Sequence, residues 1–243
     1  NHNCLGDKLM NLIPGQYHEL ETICNTLIDD EARCVTFISL YGGEGSSTAC
    51  ISVAQRLKGQ NKSVLVIDLN PISSFRLDKQ LPTLTKLWRF DDISCQLSVM
   101  PYQGIEVLTI HNLESIDSAK NKHVLNEAVL RLKQEYDYVL LDMSPALKLN
   151  RNNVPLHSLS LCSELTLVTI ALGINNEESL CQGVAELKQA GHSNIKLLVS
   201  QHSFAPLGER MLLLFQRHSS KWPRLCAFLT SKINKQKWLF KHY

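Results

Sequence analysis

The chain has 243 residues, of which 44% are hydrophobic and 20% are charged, and its formal net charge at pH 7 is +2. This length is enough for one large α/β domain with a buried core, and the net charge rules out neither a nucleic-acid nor a membrane partner. No run approaches the ~18 apolar residues of a membrane span, and the N-terminus lacks a signal-peptide pattern, so we expect a cytoplasmic protein.

Short apolar segments bounded by polar or turn residues are typical of buried parallel strands. In chain order they are Cys34–Leu40, Ser63–Asp68, Ile105–Ile110, Tyr138–Asp142 and Leu165–Leu172, with a sixth at Ile195–Ser200. Helical patterns lie between them at Ser47–Lys58, Lys122–Glu135 and Glu177–Ala190. This alternation predicts right-handed βαβ units and a mostly parallel sheet covered by helices on both faces. Ligands of such sheets bind outside the carboxyl ends of the strands.

The composition divides the chain into three parts. We predict a helical lead-in over residues 1–30, an α/β domain over 31–204, and basic amphipathic helices over 205–243 that pack on this domain or extend from it. Residues 71–104 contain three prolines and lack a clear period, so we predict an irregular excursion with short helices there. The eight cysteines are scattered without a CxxC pair, which favours reduced, buried thiols over a metal site or disulfides.

A glycine-rich turn, Tyr41-Gly42-Gly43-Glu44-Gly45-Ser46-Ser47-Thr48, follows the first strand and leads into a helix. This is the context of a phosphate-binding P-loop, in which glycines let backbone N–H groups converge on an anion at a helix N-terminus. The predicted fold class is therefore a P-loop NTPase-like three-layer sandwich. The candidate cofactor-binding residues are Gly43, Gly45, Ser46, Ser47 and Thr48.

The position that a working P-loop fills with lysine is occupied by Ser46. The missing contact to the β/γ phosphates is worth about 1.5–3 kcal/mol, or about ten- to a hundredfold in affinity. Phosphoryl transfer should lose more, because the lysine also stabilises charge in the transition state. We therefore favour a retained structural turn without a cofactor. Binding of ATP or ADP with Mg²⁺ but without efficient chemistry, and rescue of turnover by a lysine from elsewhere, are the alternatives.

Two aspartates end predicted strands near this loop. Asp68 closes the second strand and Asp142 closes the strand that begins at Tyr138. With Ser47 they offer the oxygen ligands that Mg²⁺ prefers, so these three residues are the candidate metal site, used only if nucleotide binds. Asp68 and Asp142 are also the candidate catalytic residues if the protein is active. Alternatively, they cap neighbouring helices or loops.

These elements, in this order, resemble the bacterial polysaccharide tyrosine kinases, the cytoplasmic domains that partner Wzz-type chain-length proteins, and more widely the Min/Par group of P-loop ATPases. The likeness runs from about residue 16 to residue 204. It is carried by residues 43–48, 64–71 and 136–145, which resemble the family's PGEGKST loop, its VLLIDADLRRP strand and its YDYVIIDTPP strand. The resemblance implies that Gly43, Gly45 and Thr48 hold phosphates and that Ser47, Asp68 and Asp142 hold Mg²⁺.

The chain departs from this pattern at its charged positions. Tyr41 occupies the place of the signature lysine of the Min/Par proteins, and Asn70 that of the second aspartate of the kinases' DxD pair. The lead-in glutamate and two arginines that the family uses for ring assembly fall on Gly15, His18 and Glu21, and a single Tyr243 replaces its C-terminal tyrosine cluster.

With these losses, the resemblance implies a catalytically degenerate regulator or scaffold in exopolysaccharide or capsule biosynthesis and export. Its partner would be a Wzz-type polysaccharide co-polymerase or another membrane protein of an export complex, and the protein could form homo-oligomers. An active ATP-dependent tyrosine autokinase acting on Tyr243 or on a partner, and a Tad-type pilus or polar-localisation adaptor, are the alternatives.

The C-terminal segment is strongly basic. From Glu209 onward this one acid stands against Arg210, Arg217, Lys221, Arg224, Lys232, Lys235, Lys237 and Lys241. Leu225, Phe228, Leu229 and Ile233 recur at helical spacing among them. Residues 209–243 could therefore contact an anionic membrane surface or a membrane partner, placing the protein at the inner membrane, or form a helix packed on the domain. Nucleic-acid binding is the least favoured alternative, because no binding module is recognisable.

Overall fold

The computed structural model describes residues 13, 18–71, 87–91, 99–102, 104–200, 207–218, 222–236 and 239. The strands among them are β1 (Cys34–Ser39), β2 (Val64–Asp68), β3 (Met100–Tyr102), β4 (Ile105–Thr109), β5 (Tyr138–Asp142), β6 (Leu165–Ala171) and β7 (Ile195–Ser200). The α-helices are α1 (His18–Asp29), α2 (Ser46–Gly59), α3 (Asp117–Lys120), α4 (Lys122–Glu135), α5 (Leu156–Leu159), α6 (Glu177–Gln189), α7 (Leu207–His218) and α8 (Pro223–Asn234). Short 3₁₀ turns span Ile110–Asn112 and Ala146–Lys148.

The strands form one sheet in the order β3-β4-β2-β5-β1-β6-β7. The pairs β4–β2, β2–β5, β5–β1 and β1–β6 are parallel, whereas β3 runs antiparallel to β4. The predicted mostly parallel sheet is therefore confirmed. Its central strands β2, β5 and β1 bring the carboxyl ends of three predicted strands to one edge, where ligands of such sheets bind.

Both faces of the sheet are covered, as the continuous apolar runs predict. Every residue of β1 is buried, and its side chains alternate between two hydrophobic clusters. Cys34 and Ile38 pack with residues of α4 and Leu187 of α6, whereas Phe37 packs on the opposite face with residues of α1 and α2. A strand buried on both faces cannot be read from an alternating pattern, so the length of its apolar run was the informative signal.

The described part of the region predicted to be irregular contains one strand. β3 occupies Met100–Tyr102, and the indole Nε1–H of Trp88 donates to the Thr109 carbonyl oxygen at 2.9 Å. Trp88 and Phe90 are buried with their rings edge to face, 4.8 Å apart between centroids. A three-residue strand with a central proline has no period to detect, which explains why the prediction missed it. Residues 72–86, 92–98 and 103 lie outside the described part of the chain.

The described residues form two compact units, one within residues 1–170 and 174–199 and one within residues 171–173 and 200–243. Within the second unit α7 and α8 pack against each other. Cys226 and Ile233 of α8 are buried, whereas Leu225 and Phe228 are more than half exposed.

None of the helices in the described ranges has both the length and the apolar character needed to cross a membrane. The predicted boundaries at residues 30 and 204 stay predictions.

Candidate functional site

The glycine loop adopts a conformation that needs glycine. Gly42, Gly43 and Gly45 have φ angles of 89°, 90° and 94°, in the left-handed region that other residues enter only with strain. Gly45 caps α2 without a side-chain hydrogen bond, and the first amide bond into it runs from Ala49 N–H to the Gly45 oxygen at 2.9 Å. No acceptor in the described part of the chain takes the N–H groups of residues 46–48. The loop thus leaves helix-terminal donors for an anion.

The two serines after this loop bind the aspartate at the end of β5. Ser47 Oγ donates to Asp142 Oδ2 at 2.6 Å, and Ser46 Oγ donates to Asp142 Oδ1 at 3.4 Å. Ser46 is buried, so the side chain at the lysine position points to a carboxylate inside the protein. The loop therefore presents no cation of its own to an anion.

Asp68 and Asp142 face each other across neighbouring strands. They are register partners in the β2–β5 pair, and both are fully buried. Burial, followed by the nearby charge of Asp68, raises the pKa of Asp142 well above its ordinary value, and the hydrogen bonds from Ser47 and Ser46 oppose the shift. The Asn70 N–H donates to Asp68 Oδ1 at 3.0 Å. Two buried carboxylates beside a serine hydroxyl match the donor set that suits Mg²⁺.

Glu44 ties the loop to the segment after β6. Its Oε1 accepts the N–H of Tyr41 at 2.7 Å and the side-chain amide of Asn175 at 3.1 Å. The side chain is buried, and its Oε2 has no hydrogen-bond partner in the described residues. This acid therefore holds the start of the loop in place and adds a third carboxyl group to its surroundings. Its link to Asn175 depends on the fold and has no local sequence signal.

A further residue at this edge was missed by sequence reasoning. Lys148 lies at the end of the 3₁₀ turn after β5, and its Nζ is 5.9 Å from the centroid of the Tyr41 ring. Nothing in the local sequence distinguishes it from any other surface lysine. Only the pairing of β5 with β1 brings the turn beside the loop.

The predicted site residues thus gather at one edge of the sheet. Hydrogen bonds join Ser46 and Ser47 to Asp142, and strand register places Asp68 beside it. Gly43 and Gly45 lie in the loop itself, and Thr48 lies in the first turn of α2. Their roles toward phosphate and metal stay predictions. Tyr243, Gly15 and the C-terminal Lys237 and Lys241 lie outside the described residues.

A strand, a left-handed glycine loop and a helix at the carboxyl edge of a mostly parallel sheet define the class of P-loop NTPase-fold proteins. The predicted fold class is confirmed. The family model described as "Cellulose biosynthesis protein BcsQ" matches residues 33–225, and the chain belongs to this family. No match to this chain was found among the curated proteins.

Several solved structures share the fold. The kinase domain of the Escherichia coli tyrosine kinase ETK is 14% identical, with a TM-score of 0.58 over 84% of this chain and 86% of that chain. A cobyrinic acid a,c-diamide synthase from Mycobacterium smegmatis with bound ATP analog and magnesium is 17% identical, with a TM-score of 0.54 over 78% and 82%. A ParA family ATPase from Chlorobium tepidum is 16% identical, with a TM-score of 0.50 over 71% and 75%. The resemblance to polysaccharide kinases and Min/Par ATPases is thus confirmed, as a likeness of fold.

Proposed function

We propose that this protein is an accessory component of bacterial cellulose biosynthesis, a regulator or scaffold that acts through protein contacts and not through phosphoryl transfer. Membership of the BcsQ family supports the pathway. The main support for the absence of phosphoryl transfer is that Ser46 occupies the lysine position and that its hydroxyl donates a hydrogen bond to Asp142. The protein would be a degenerate relative of the kinase-like P-loop proteins that it resembles.

The loop can hold an anion but lacks the means to stabilise a transferring phosphoryl group. The free N–H groups at the start of α2 can bind phosphate oxygens, and Ser47, Asp68 and Asp142 could hold a Mg²⁺ ion that would neutralise part of the phosphate charge. Without a buried cation at the terminal phosphate, the charge of the transition state stays poorly neutralised. We expect nucleotide to bind about ten- to a hundredfold more weakly than in a lysine-bearing loop, and phosphoryl transfer to be absent.

Radiolabelled ATP tests the catalytic part of this proposal. Wild-type protein and the Asp142→Ala variant should incorporate the same background of label and release the same background of phosphate. Incorporation that disappears in the Asp142→Ala variant would instead support the active tyrosine kinase. A Ser47→Ala variant serves as a second probe, because it removes the hydroxyl while leaving the buried carboxylate in place.

Complementation tests the role in cellulose production. Deletion of the protein from a cellulose-producing bacterium should lower cellulose output, and both wild-type and Asp142→Ala protein should restore it. Immunoblotting controls for the abundance of the variant. A variant that is present at normal level but fails to restore output would show that the carboxylate has a chemical role, against the proposal.

The partner we propose is a membrane protein of the cellulose export complex, contacted through residues 209–243. Eight basic residues and one acid give this segment a charge of +7, so residues 1–208 carry −5 of the total of +2. Trp222 and Phe228 are 64% and 59% exposed, and Lys232 Nζ lies 5.7 Å from the Phe228 ring centroid. Large apolar side chains beside cations suit an acidic partner surface next to the membrane.

Affinity capture with wild-type protein and a Phe228→Glu variant tests this contact. The wild type should retain a membrane protein of the cellulose complex in detergent, and the variant should lose it. Capture of pilus or cell-pole proteins would favour the adaptor alternative. Equal sedimentation of both proteins with anionic lipid vesicles alone would indicate that Phe228 makes no lipid contact.

A further inference from the structure

The 3₁₀ turn Ala146–Lys148 is fixed against the start of the glycine loop. The N–H of Leu147 donates to the carbonyl oxygen of Leu40, the residue just after β1, at 3.0 Å. A Cβ placed on Gly42 would stand 3.1 Å from Pro145 Cγ, so the loop and the segment that leads into the turn pass each other closely. These contacts involve backbone atoms and a rigid proline ring, and the position of the turn beside the loop therefore does not depend on flexible side chains.

Lys148 projects from this turn to the mouth of the loop. Its Nζ lies 5.9 Å from the ring centroid of Tyr41, within the range of a cation–π contact. The side chain is exposed and takes part in no ion pair with the described residues. A lysine held over an aromatic ring and free of a carboxylate is available to a ligand, because leaving the ring costs little.

The loop needs such a cation. Glu44 in the loop and Asp68 and Asp142 at the same edge of the sheet are buried acids, and residues 41–48 contain no basic side chain. An approaching phosphate would meet amide dipoles and a metal held by the aspartates, but no ammonium or guanidinium group from the loop itself. Lys148 is a positive side chain that the fold, and not the loop sequence, delivers to the same edge.

We propose that Lys148 contacts the phosphates of a magnesium-bound nucleoside di- or triphosphate in this loop and supplies there the positive charge that Ser46 cannot. Tyr41 holds the ammonium group in the absence of ligand, and the ammonium exchanges the ring for phosphate oxygens when an anion enters. The inference rests on the proposed function, in which the loop binds without transferring. An exposed lysine on a flexible stem adds affinity but is not held rigidly enough to replace the buried lysine in transfer.

Calorimetric titration of the full chain with Mg·ADP tests the contact. A Lys148→Gln variant should bind about five- to tenfold more weakly than wild type, less than the roughly ten- to a hundredfold effect of a buried charge-assisted contact, because the site is solvated. A Lys148→Arg variant should bind within about twofold of wild type, since it keeps the charge. Lys188→Gln is the matched control, because it removes an exposed lysine in the last turn of α6, and its affinity should be unchanged.

Two readouts separate this contact from a structural effect. Added salt should weaken Mg·ADP binding more steeply in the wild type than in the Lys148→Gln variant, because one ionic contact is missing in the variant. The melting temperatures of the ligand-free proteins should coincide. Equal affinity of wild type and Lys148→Gln overturns the inference and leaves the proposed function standing. No measurable binding by the wild type overturns the inference and the expected weak nucleotide binding, and leaves the proposed absence of phosphoryl transfer standing. Phosphate release by the wild type overturns the proposed function, while the effect of Lys148 on affinity is judged separately.

Discussion

Replacing Asp142 with asparagine should stabilise the ligand-free protein, although the residue lies at the heart of the candidate site. Asp142 and Asp68 are fully buried register partners on β5 and β2. Among the described residues, the pKa of Asp142 is set by burial, by the charge of Asp68 and by the two serine hydroxyls, and no cation contributes. The amide removes a buried like charge and keeps the shape of the side chain.

The size of the effect follows from the geometry. Adjacent strands lie about 4.8 Å apart, and two like charges at about 5 Å repel by about 3 kcal/mol at an effective dielectric constant of about 20. The raised pKa already relieves part of this repulsion by proton uptake. Replacing the carboxylate acceptor of the Ser47 hydrogen bond with a neutral amide oxygen costs about 1 kcal/mol. We expect Asp142→Asn to raise the free energy of unfolding by about 1–2 kcal/mol at neutral pH.

The effect should grow with pH. Because the pKa of Asp142 is raised in the folded state, its contribution to stability is fully present below the unfolded value of 3.8 and is lost as the pH rises through the folded value. The variant does not titrate at this position, so its advantage over the wild type should increase from acid to alkaline pH. Urea unfolding in the presence of a chelator, at several pH values, measures both quantities.

Asp137→Asn is the matched control. This aspartate precedes the same strand, and hydrogen bonds from the N–H and hydroxyl of Ser63 lower its pKa. Its replacement should therefore lower stability, or leave it unchanged, where Asp142→Asn raises it. An Asp142→Asn protein that unfolds more easily than the wild type at alkaline pH, or an advantage that does not vary with pH, would refute the reasoning about the buried pair.

Three further predictions concern the scaffold. Burial lowers the pKa of His192, so the contribution of this residue to stability is present above the unfolded value of 6.5 and is lost as the pH falls through the folded value. In thermal melts, the melting temperature of His192→Gln should therefore fall less at acid pH than that of the wild type. Gly183→Ala should lower the free energy of unfolding by about 1–3 kcal/mol, because the added Cβ would lie 2.4 Å from Cδ2 of the buried Leu40. The control Gly59→Ala, whose Cβ would have no neighbour within 4 Å, should be neutral or stabilising. Equal effects of the two substitutions in chemical unfolding would contradict the packing argument. Arg33 donates hydrogen bonds to three carbonyl oxygens at the end of α4 and just after it. Arg33→Met should therefore lower the free energy of unfolding in urea by about 1–2 kcal/mol. A variant as stable as the wild type would contradict a stabilising role for these hydrogen bonds.

Much of the fold could be predicted from local patterns. β1, β2, β5 and β6 are continuous apolar runs, and the helices between them have the expected spacing, so each was predicted within one or two residues of its observed bounds. Gly42, Gly43 and Gly45 indicated the left-handed loop, because glycine is the residue that enters this backbone region without strain. The replacement of the lysine by Ser46 could also be predicted, because the lysine position is found by counting from the glycines of the loop.

What surrounds the loop was decided by tertiary structure. The buried pairing of Asp68 with Asp142 exists because β2 and β5 are neighbours in the sheet, an arrangement of strands far apart in the chain that no local pattern encodes. The link from Glu44 to Asn175 and the approach of Lys148 to Tyr41 likewise join residues that are distant in sequence. The chain by itself determined which charge the loop lacks, because that depends on residue type at one position. Only the fold determined which acids and which lysine lie close to the glycine loop, and the electrostatic interactions of the loop depend on their distance and burial.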